Sequence, residues 1–283
     1  MLDSVDYLAI GHVTRDILPD ASHVVGGTVS YAALTVAALR RSVGIVTSAS
    51  RGFDLSAFHG LVTVSCSMAE HTTTFRNQYV NGSRRQVVYG VAEPLTLQSI
   101  PEAWSSPAIV HVGPIMGECA PALVTSFPES TFVGVTPQGW MRSTNSGGEV
   151  LHQPWRGADS LLGYVSAVVF SIHDILGDWD IARSYAGMAP LLAVTTGRTG
   201  GVLFIKGEPV PFPALTVDEV DPTGAGDIFA AVFFDALARD VSPVEAARFA
   251  ACVASGSVTR VGLNGVPTAE DIEGCRGLVG RDY

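Results

Sequence analysis

The chain has 283 residues, of which 47% are hydrophobic and 16% are charged, and its formal net charge is −10. This apolar content and the low share of charged residues are typical of a compact globular protein and exclude a disordered chain. The negative charge disfavours nucleic acid and anionic membranes as partners, and we expect neither. Any anionic ligand must then be held by local groups, such as backbone N–H groups, an arginine or a metal ion.

The cysteines and the N-terminus bear on where the protein works. Cys66, Cys119, Cys252 and Cys275 have spacings that do not suit a metal site, and we expect them to be buried, reduced thiols. The first six residues lack the basic start of a signal peptide. Glycine, proline or charge interrupts every apolar run before the roughly 18 residues that a membrane helix needs. The sequence therefore predicts a soluble, cytoplasmic protein.

Short apolar runs alternate with helical patterns along the chain, which is typical of an α/β fold with a mostly parallel central sheet flanked by helices. Strands are predicted at residues 5–10, 42–48, 109–112, 132–135, 165–171 and 191–195. Helices are predicted at residues 28–40, 178–186, 224–239, 243–259 and 268–279. No repeat or low-complexity linker divides the chain, so we expect one domain spanning residues 1–283.

One stretch departs from this pattern. Residues 72–79 and 84–91 alternate with period two and flank Asn81-Gly82, which is a strong signal for a hairpin turn. A polar hairpin inside an α/β chain indicates a lid over a cleft rather than a part of the main sheet. Residues 13–25 are expected to pair with it, so the predicted lid comprises segments 13–25 and 72–91.

The run Asp-Pro-Thr-Gly-Ala-Gly-Asp at residues 221–227 precedes an apolar helix. Gly224 and Gly226 allow close backbone approach, and the start of a helix directs N–H groups and the positive end of the dipole into the loop. Together these features predict an anion site suited to phosphate. Asp227 is either a base for an attacking hydroxyl or a helix-capping carboxylate, and the run alone leaves both open.

This run resembles the C-terminal signature of the ribokinase-like (PfkB) family of carbohydrate and nucleoside kinases. Other segments resemble motifs of the same family, in the same order along the chain: Gly26-Gly27 before a helix and residues 136–142, 194–201 and 251–262. The resemblance implies a three-layer ribokinase-like fold and ATP-dependent phosphorylation of an alcohol group. ATP and Mg²⁺ are the implied cofactors, and the need for K⁺ is left open.

The resemblance also implies roles for individual residues. Asp227 would be the general base, with the backbone of Gly224, Ala225 and Gly226 as the anion hole. The residues implied at the nucleotide are Thr196, Gly197, Gly200, Thr223 and Gly256. The resemblance places Asp16 and Gly27 at the acceptor's hydroxyl groups, and Gly26 and Tyr31 are candidates beside them. From their positions, His12 at a strand end and Arg76 in the lid are further acceptor candidates. An ordinary loop histidine and a solvated edge-strand charge are the respective alternatives.

The chain departs from the family pattern at two places. Many members carry Asn-x-x-Glu where this chain has Ser171-Ile-His-Asp174. Asp174 is therefore the candidate magnesium carboxylate, and a helix-start carboxylate is the alternative. Ribokinases have an asparagine a few residues after Gly-Gly, where this chain has Tyr31. This change disfavours ribose, and together with residues 75–79 it resembles the inositol-kinase-like branch.

The leading hypothesis is a kinase for a small polyol or sugar, with a myo-inositol-like acceptor favoured. A nucleoside kinase is the first alternative, in which Tyr31, Phe75 and Tyr79 would form a slot for the base. A non-catalytic ligand-binding member is the second, and only the altered Ser171/Asp174 region supports it. The lid allows a homodimer formed through it as well as a monomer, and the sequence leaves both open.

Overall fold

The computed structural model describes residues 2–80 and 83–278, and its description leaves out the side chains of residues 78–80 and 83–84. These residues form fifteen β-strands. In chain order the strands are β1 (Tyr7–Ile10), β2 (Thr14–Ile17), β3 (His23–Gly26), β4 (Val43–Ser50), β5 (Thr63–Ala69), β6 (Thr74–Val80), β7 (Ser83–Gly90), β8 (Ile109–Val112), β9 (Phe132–Val135), β10 (Arg142–Thr144), β11 (Val150–His152), β12 (Ala167–Ser171), β13 (Leu191–Thr195), β14 (Gly201–Ile205) and β15 (Glu208–Phe212).

The same described residues form seven α-helices and eight 3₁₀ helices. The α-helices are α1 (Thr28–Ala38), α2 (Ala122–Thr125), α3 (Ala158–Leu161), α4 (Trp179–Ala186), α5 (Ala225–Leu237), α6 (Pro243–Ser257) and α7 (Ala269–Cys275). The 3₁₀ helices are Ser56–Phe58, Leu97–Ser99, Glu102–Trp104, Pro137–Met141, Ile172–Ile175, Gly197–Thr199, Gly262–Gly265 and Arg276–Leu278. Each predicted strand and helix is present. Strands 109–112, 132–135 and 191–195 have the predicted bounds, and the other elements have at least one shifted end. The last residue of the predicted final helix, Val279, lies outside the described residues.

Nine strands form the central sheet in the order β15-β14-β13-β12-β9-β8-β1-β4-β5. The strands from β13 to β5 in this order pair in parallel, while β14 pairs antiparallel with β13 and β15 pairs antiparallel with β14. Parallel strands end at a common edge, which brings sequence-distant residues together there. The predicted α/β fold with a mostly parallel central sheet flanked by helices is confirmed.

Both faces of the sheet are covered, because successive residues of each strand point to opposite sides. In β1, Tyr7 and Ala9 pack into the core formed with α1, α5 and α6. Leu8 and Ile10 pack into the second core, on the side of α2, α3 and α4. All four side chains are fully buried. The central strands therefore read as continuous apolar runs, which is why the sequence located them.

A separate four-stranded sheet with the order β3-β2-β6-β7 forms the lid. The predicted hairpin corresponds to β6 and β7, and segment 13–25 contributes β2, which pairs with β6 in parallel. The predicted turn at Asn81-Gly82 lies outside the described residues. The short hairpin β10-β11, which the sequence did not predict, joins the lid: the Val88 N–H donates to the Gly148 carbonyl at 2.8 Å, and Arg85 forms an ion pair with Glu149 at 2.7 Å.

The cysteines correct the sequence prediction. Cys252 in α6 and Cys275 at the end of α7 form a disulfide, with Cα atoms 5.9 Å apart, so the predicted reduced state is wrong for this pair. The packing of α7 against α6 brings them together across 23 residues, which no local spacing reveals. Cys119 is buried as predicted, whereas Cys66 is exposed because it lies on the edge strand β5. In the described ranges, no helix has the length and apolar character needed to cross a membrane.

Candidate active site

A cleft of about 1180 Å³ lies at the carboxyl edge of the parallel strands, where ligands bind in open α/β sheets. Thr136 after β9, Ser171 at the end of β12 and Thr195 at the end of β13 line it. The lid contributes lining residues from β2, β6 and β7, and the loop before α5 contributes residues 222–224. The cleft therefore lies between the sheet edge, the lid and the start of α5.

Asp227 lies in the first turn of α5, which begins directly after Gly224. The first N–H groups of a helix have no carbonyl partner within the helix, and the positive end of the dipole lies there. Gly224, Ala225 and Gly226 line the cleft together with Asp227. The predicted base and the predicted anion-binding backbone therefore share one wall of the cleft.

A second helix start supports Asp227. Thr28 is the first residue of α1, its side chain is buried, and its hydroxyl donates a hydrogen bond to the Asp227 carboxylate. Helices α1 and α5 pack against each other, so the carboxylate lies where two helix N-termini meet. This contact orients Asp227, and no local pattern in the sequence indicates it.

The pKa of Asp227 is raised to about 6, chiefly because burial disfavours the charged carboxylate. The negative charge of Asp174 also raises this pKa, while the hydrogen bond from Thr28 and the positive charge of Arg142 lower it. A carboxylate with this pKa is mostly ionised at neutral pH and is a stronger base than an ordinary aspartate. The electrostatics therefore suit a general base better than a simple helix cap.

Tyr31, a predicted acceptor residue, lies against Gly224 in the loop before α5 and also lines the cleft. Its ring packs so closely on Gly224 that a Cβ there would lie 2.3 Å from Tyr31 Cδ1. Gly224 also has a φ of 81°, in the left-handed region that favours glycine. Burial raises the pKa of the Tyr31 phenol, which stays protonated. Tyr31 thus shapes the loop as well as facing the cleft.

The predicted acceptor residue Asp16 lies on lid strand β2 and lines the cleft. Its Oδ2 lies over Gly26, where a Cβ would come within 2.3 Å, and its Oδ1 accepts a hydrogen bond from Thr14 Oγ1 at 3.1 Å. Gly27, which precedes α1, lines the cleft beside it. Gly26 is not among the described lining residues, so its part is to leave room for the Asp16 carboxylate.

His12 does not line the cleft in the described part of the chain, so the structure lends no support to its predicted place at the acceptor. The side chain is fully buried. Its Nε2 donates to the Glu93 carbonyl at 2.9 Å, and its Nδ1 accepts from Thr73 Oγ1 at 2.8 Å. Both ring nitrogens are therefore used to connect loops behind the site.

Arg76 is likewise absent from the described lining residues, so its predicted place at the acceptor also lacks support from the structure. The neighbouring Phe75 and Asn77 both line the cleft. The alternation of side chains along a strand cannot place three successive residues on one face, so Arg76 points to the other face of the lid. Arg76 is not exposed enough to be a fully solvated surface charge, since its side chain is half-buried.

Four of the five residues predicted at the nucleotide line the cleft: Thr196, Gly197, Gly200 and Thr223. The Thr196 N–H donates to the Gly200 carbonyl at 2.8 Å, which closes the loop after β13. Gly256, on α6, is not among the described lining residues, although α6 does face the cleft. The residues of α6 and its end that line the cleft are Ala251, Ala254, Ser255 and Val258.

Asp174 lines the cleft and is the third residue of the 3₁₀ helix Ile172–Ile175, where it forms a capping box with Ser171. Its Oδ1 accepts from Gln138 Nε2 at 2.8 Å, and its Oδ2 accepts from the Ser171 N–H at 2.9 Å. The helix-start role of Asp174 is therefore present, and its place in the cleft leaves the predicted magnesium role as a prediction. Each oxygen has a second lone pair that these bonds leave for another ligand.

No group of three or more His, Cys, Asp or Glu side chains among the described residues is arranged to hold a metal ion. Mg²⁺ in phosphoryl-transfer sites is commonly bound by one or two carboxylates, with phosphate oxygens and water completing its shell. Asp174, whose side chain lines the cleft, fits such an ion when a donor supplies phosphates. An ion held by protein side chains alone does not fit this donor set.

Two amide side chains of the lid were missed. Asn77 on β6 and Gln86 on β7 are directly paired, both line the cleft, and Gln86 Nε2 donates to Asn77 Oδ1 at 3.2 Å. They offer donors and acceptors to the same space as Asp16. The signal that could have found them is the period-two pattern: a strand that directs the apolar Phe75 inward also directs Asn77 inward.

The chain is similar to known proteins in part of its sequence. Residues 182–269 match the model of the family described as pfkB family carbohydrate kinase. A segment of 99 residues is 40% identical to the bifunctional protein HldE of Caulobacter sp. (strain K31), and it covers 34% of this chain and 20% of HldE. An alignment over 259 residues is 28% identical to the cytidine kinase of Thermococcus kodakarensis and covers 83% of this chain and 89% of that kinase.

The fold is similar to that of solved kinases. A pyrophosphate-dependent kinase in the ribokinase family, complexed with a pyrophosphate analog and myo-inositol, superimposes with a TM-score of 0.77 at 23% identity, covering 95% of this chain and 99% of that one. The family match and the shared fold confirm the resemblance predicted from the motifs. They also support the predicted class of enzyme, a carbohydrate or nucleoside kinase.

Proposed function

Since the chain has the fold of the ribokinase-like (PfkB) family and the family's sequence pattern over residues 182–269, we propose that it is an ATP-dependent phosphotransferase for an alcohol group of a small polyol or sugar. The observation that carries this proposal is the meeting of Asp227, the start of α5 and Asp16 around one cleft. A myo-inositol-like acceptor is favoured, and the myo-inositol in the structural neighbour supports it.

The proposed reaction uses two features at the start of α5, the Asp227 carboxylate and the backbone N–H groups. The acceptor hydroxyl gives its proton to the Asp227 carboxylate while its oxygen attacks the terminal phosphorus of the donor. The new O–P bond forms as the bond between the terminal phosphorus and the bridging oxygen breaks, and ADP is the leaving group. N–H groups at the start of α5 stabilise the charge on the transferred phosphoryl group, and the lid limits access of water.

Magnesium, when bound with the donor, neutralises phosphate charge and orients the terminal phosphate. Asp174 is the residue we assign to hold it, through the lone pairs that Gln138 and the Ser171 N–H do not use. Thr196, Gly197, Gly200 and Thr223 would border the nucleotide. A role for K⁺ stays open.

The acceptor would lie between the lid and Asp227. Asp16 and the paired amides of Asn77 and Gln86 line this part of the cleft and can hydrogen-bond several hydroxyl groups at once. A ring that carries hydroxyls around its edge suits such a polar lid better than a purely apolar compound does. Phe75 and Ile115, in the small apolar cluster under the lid, would pack against one face of the ring.

A nucleoside acceptor is the second candidate, and the alignment with a cytidine kinase favours it. Of the aromatic slot suggested by the sequence, Phe75 lines the cleft, Tyr31 packs under Gly224, and the Tyr79 side chain lies outside the described residues. A non-catalytic role has less support, because the raised pKa of Asp227 suits a general base and Gly224, Ala225 and Gly226 line the cleft beside it.

The donor also has a second candidate. The similar solved structure is of a pyrophosphate-dependent kinase, and pyrophosphate has the same terminal phosphoryl group as ATP without the nucleoside. With pyrophosphate as the donor, no adenine would lie against the part of the cleft that α6 lines. ATP is our first choice, since the strand-end segment and the α6 end match the nucleotide-bordering motifs predicted from the sequence.

A two-way panel tests the proposal, with ATP or pyrophosphate as donor, Mg²⁺ present, and myo-inositol, ribose or cytidine as acceptor. We expect donor consumption with ATP that depends on the acceptor and is fastest with myo-inositol. Turnover only with cytidine would move the assignment to the nucleoside kinase, and turnover only with pyrophosphate would change the donor. Absence of turnover for every pair, with ligand binding retained, would establish the non-catalytic reading.

The single domain over residues 1–283 and the cytoplasmic location stay predictions. The choice between a monomer and a homodimer formed through the lid stays open. The exposed edge strand β3 supports a dimer, because its unpaired backbone groups can pair with a second lid.

A further inference from the structure

A hydrogen-bonded chain of three side chains runs from the core of the central sheet to the cleft. The Tyr7 hydroxyl on β1 lies 2.8 Å from His111 Nδ1 on β8, and His111 Nε2 lies 2.9 Å from Thr136 Oγ1. Tyr7 and His111 are fully buried, whereas Thr136 follows β9 directly and lines the cleft. The chain therefore ends at the carboxyl edge of the sheet, beside the bound reactants.

The direction of each bond in this chain follows from its protons. Burial raises the pKa of the Tyr7 phenol well above its usual value and lowers the pKa of His111 to about 3, so the phenol is protonated and the imidazole is neutral. Among the described residues, His111 Nδ1 is the partner of the Tyr7 hydroxyl, and leaving that buried donor unpaired is costly. Tyr7 therefore donates to Nδ1. The single proton of the neutral ring is then on Nε2, which donates to Thr136 Oγ1.

The imidazole of His111 is held between two aromatic rings. Phe234 packs edge-on against it with ring centroids 5.0 Å apart, and the Tyr7 ring is also perpendicular to it at 6.2 Å. Phe234 fills the space over Gly134, the β9 partner of His111, where a Cβ would lie 2.4 Å from the Phe234 ring. Phe234 belongs to α5, the helix that carries Asp227. The imidazole is thus held in register with the base.

The bond from His111 leaves the Thr136 proton for the cleft. With His111 as the donor, no described residue remains to accept that proton. A Cβ on Gly113 would lie 3.0 Å from Thr136 Oγ1 and 2.6 Å from Thr28 Cγ2, so the two threonines are close neighbours. The Thr28 hydroxyl donates to Asp227. Thr136 therefore presents a hydroxyl proton to the part of the cleft next to the base.

We propose that Thr136 donates a hydrogen bond to a hydroxyl group of the acceptor, and that Tyr7 and His111 are positioning residues that keep the Thr136 proton directed into the cleft. The ionised carboxylates of Asp16 and Asp227 can only accept hydrogen bonds, so a fixed donor complements them around a compound with several hydroxyl groups. A site built to pair with a hydroxyl discriminates against an analogue that lacks it. The inference rests on the proposed phosphotransferase function and concerns its choice of acceptor.

The first test compares two variants of Thr136 with the wild type, using the best donor and acceptor of the panel. Thr136→Val keeps the shape and removes the proton, so we expect the acceptor KM to rise about 5-fold to 50-fold and kcat to change less than about threefold. Thr136→Ser keeps the hydroxyl, and its acceptor KM should stay within about threefold of the wild type.

Thr131→Val is the matched control for Thr136→Val. Thr131 lies at the opposite end of β9, is 7% exposed like Thr136, and donates to the Pro107 carbonyl at 2.9 Å. Its loss removes a buried hydrogen bond far from the cleft. We expect Thr131→Val to lower stability and to leave the acceptor KM unchanged.

Deoxy analogues of the acceptor locate the contact. For the analogue that lacks the hydroxyl bonded by Thr136, kcat/KM should be equal within about twofold in the wild type and in Thr136→Val. Every other deoxy analogue should show the full difference between the two proteins. If no analogue removes that difference, Thr136 does not contact an acceptor hydroxyl and the proposal is overturned.

Tyr7→Phe tests the positioning role, because it removes the proton that Nδ1 accepts. We expect the acceptor KM to rise about 2-fold to 10-fold in the wild-type background and not to rise further in Thr136→Val, since the effect passes through the Thr136 hydroxyl. An equal rise in both backgrounds would show a general packing effect and overturn the positioning role. An acceptor KM that Thr136→Val leaves unchanged overturns the contact itself.

The tautomer of His111 is read directly by ¹⁵N NMR of the histidine-labelled wild type. We expect the proton on Nε2, and a proton on Nδ1 would overturn the assigned direction of the chain even if the variants fail to fold. This measurement needs no turnover. Absence of wild-type turnover throughout the panel therefore counts against the proposed function, whereas the tautomer concerns the hydrogen-bonded chain alone.

Discussion

The ring of Tyr31 lies against the backbone of Gly224, so that a Cβ on Gly224 would lie 2.3 Å from the ring. Tyr31 belongs to α1 and Gly224 precedes α5, and these two helices bring Thr28 and Asp227 together at the same point. The contact therefore sets the path of the anion-binding loop relative to the base. Tyr31, which stands where ribokinases have an asparagine, therefore has a structural role in addition to lining the cleft.

The first prediction concerns Gly224→Ala. The added methyl group must displace the buried Tyr31 ring or the loop, so we expect kcat to fall by about 10-fold to 100-fold, since small displacements in a phosphoryl-transfer site are costly. The measurement is kcat together with the midpoint of thermal unfolding. Replacing the ring as well, in Gly224→Ala/Tyr31→Ala, should cost less than the sum of the two single changes.

The control for this prediction is Gly177→Ala. Gly177 has the same φ of 81°, but a Cβ there meets no atom within 4 Å, so the variant reports the backbone cost of a left-handed alanine alone. We expect a loss of about 1 kcal/mol in stability and no loss of activity. Equal kcat for Gly224→Ala and the wild type, or strict additivity with Tyr31→Ala, would contradict the role assigned to the contact.

The second prediction is the pH dependence of kcat/KM. With the pKa of Asp227 at about 6, activity should fall as the pH drops through that value and the base becomes protonated. Thr28→Val removes a hydrogen bond that lowers this pKa, so the acidic limb should move to higher pH. Asp174→Asn removes a negative charge that raises the pKa, so the limb should move to lower pH.

The pH profiles of the three proteins are compared between about pH 5 and 8, where the limb lies. Opposite shifts of the limb identify Asp227 as the titrating group, because Thr28 lowers the pKa of Asp227 and Asp174 raises it. A limb that stays in place in both variants shows that another group controls the profile. Loss of activity without a shift in Asp174→Asn would instead reflect its proposed place at the metal.

The third prediction concerns recognition of the acceptor by the lid. Asn77→Ala and Gln86→Ala each remove a polar group that faces the cleft, and we expect the acceptor KM to rise about 5-fold to 50-fold, as the loss of one or two hydrogen bonds to a hydroxyl group does. The donor KM should change less than about twofold, because these residues line the lid side. Steady-state kinetics with each substrate varied in turn gives both constants.

Arg76→Ala serves as the control on the same strand, because Arg76 points to the opposite face of the lid. We expect its acceptor KM to stay within about twofold of the wild type. A rise in KM for Arg76→Ala with none for Asn77→Ala would show that the inward face of β6 was misassigned and that the original expectation from the sequence was right.

The sequence predicted the parts of the site that are local in the chain. The run Asp221–Asp227 and the loop after β13 carry their own glycines and their own helix start or strand end, so their geometry follows from a few consecutive residues. The central strands were equally readable, since burial on both faces leaves continuous apolar runs.

The parts that were missed depend on contacts between distant segments. Nothing near Thr28 indicates that its hydroxyl reaches Asp227, and nothing near Cys252 indicates Cys275. The residues on the inward face of the lid were missed for another reason. The sequence of a hairpin shows that its side chains alternate between two faces, but it does not show which face lies toward the cleft. The sequence analysis assigned Arg76 to the cleft face, whereas Asn77 lies there.

The central claim is that Asp227 accepts the proton of the acceptor hydroxyl, and Asp227→Asn tests it most directly. The substitution keeps the shape of the side chain and removes its basicity, so we expect kcat to fall at least about 100-fold. Affinity for the donor, measured by calorimetry with a non-hydrolysable analogue, should change little. Turnover equal to that of the wild type in Asp227→Asn would contradict the mechanism, even if the donor and acceptor are those proposed.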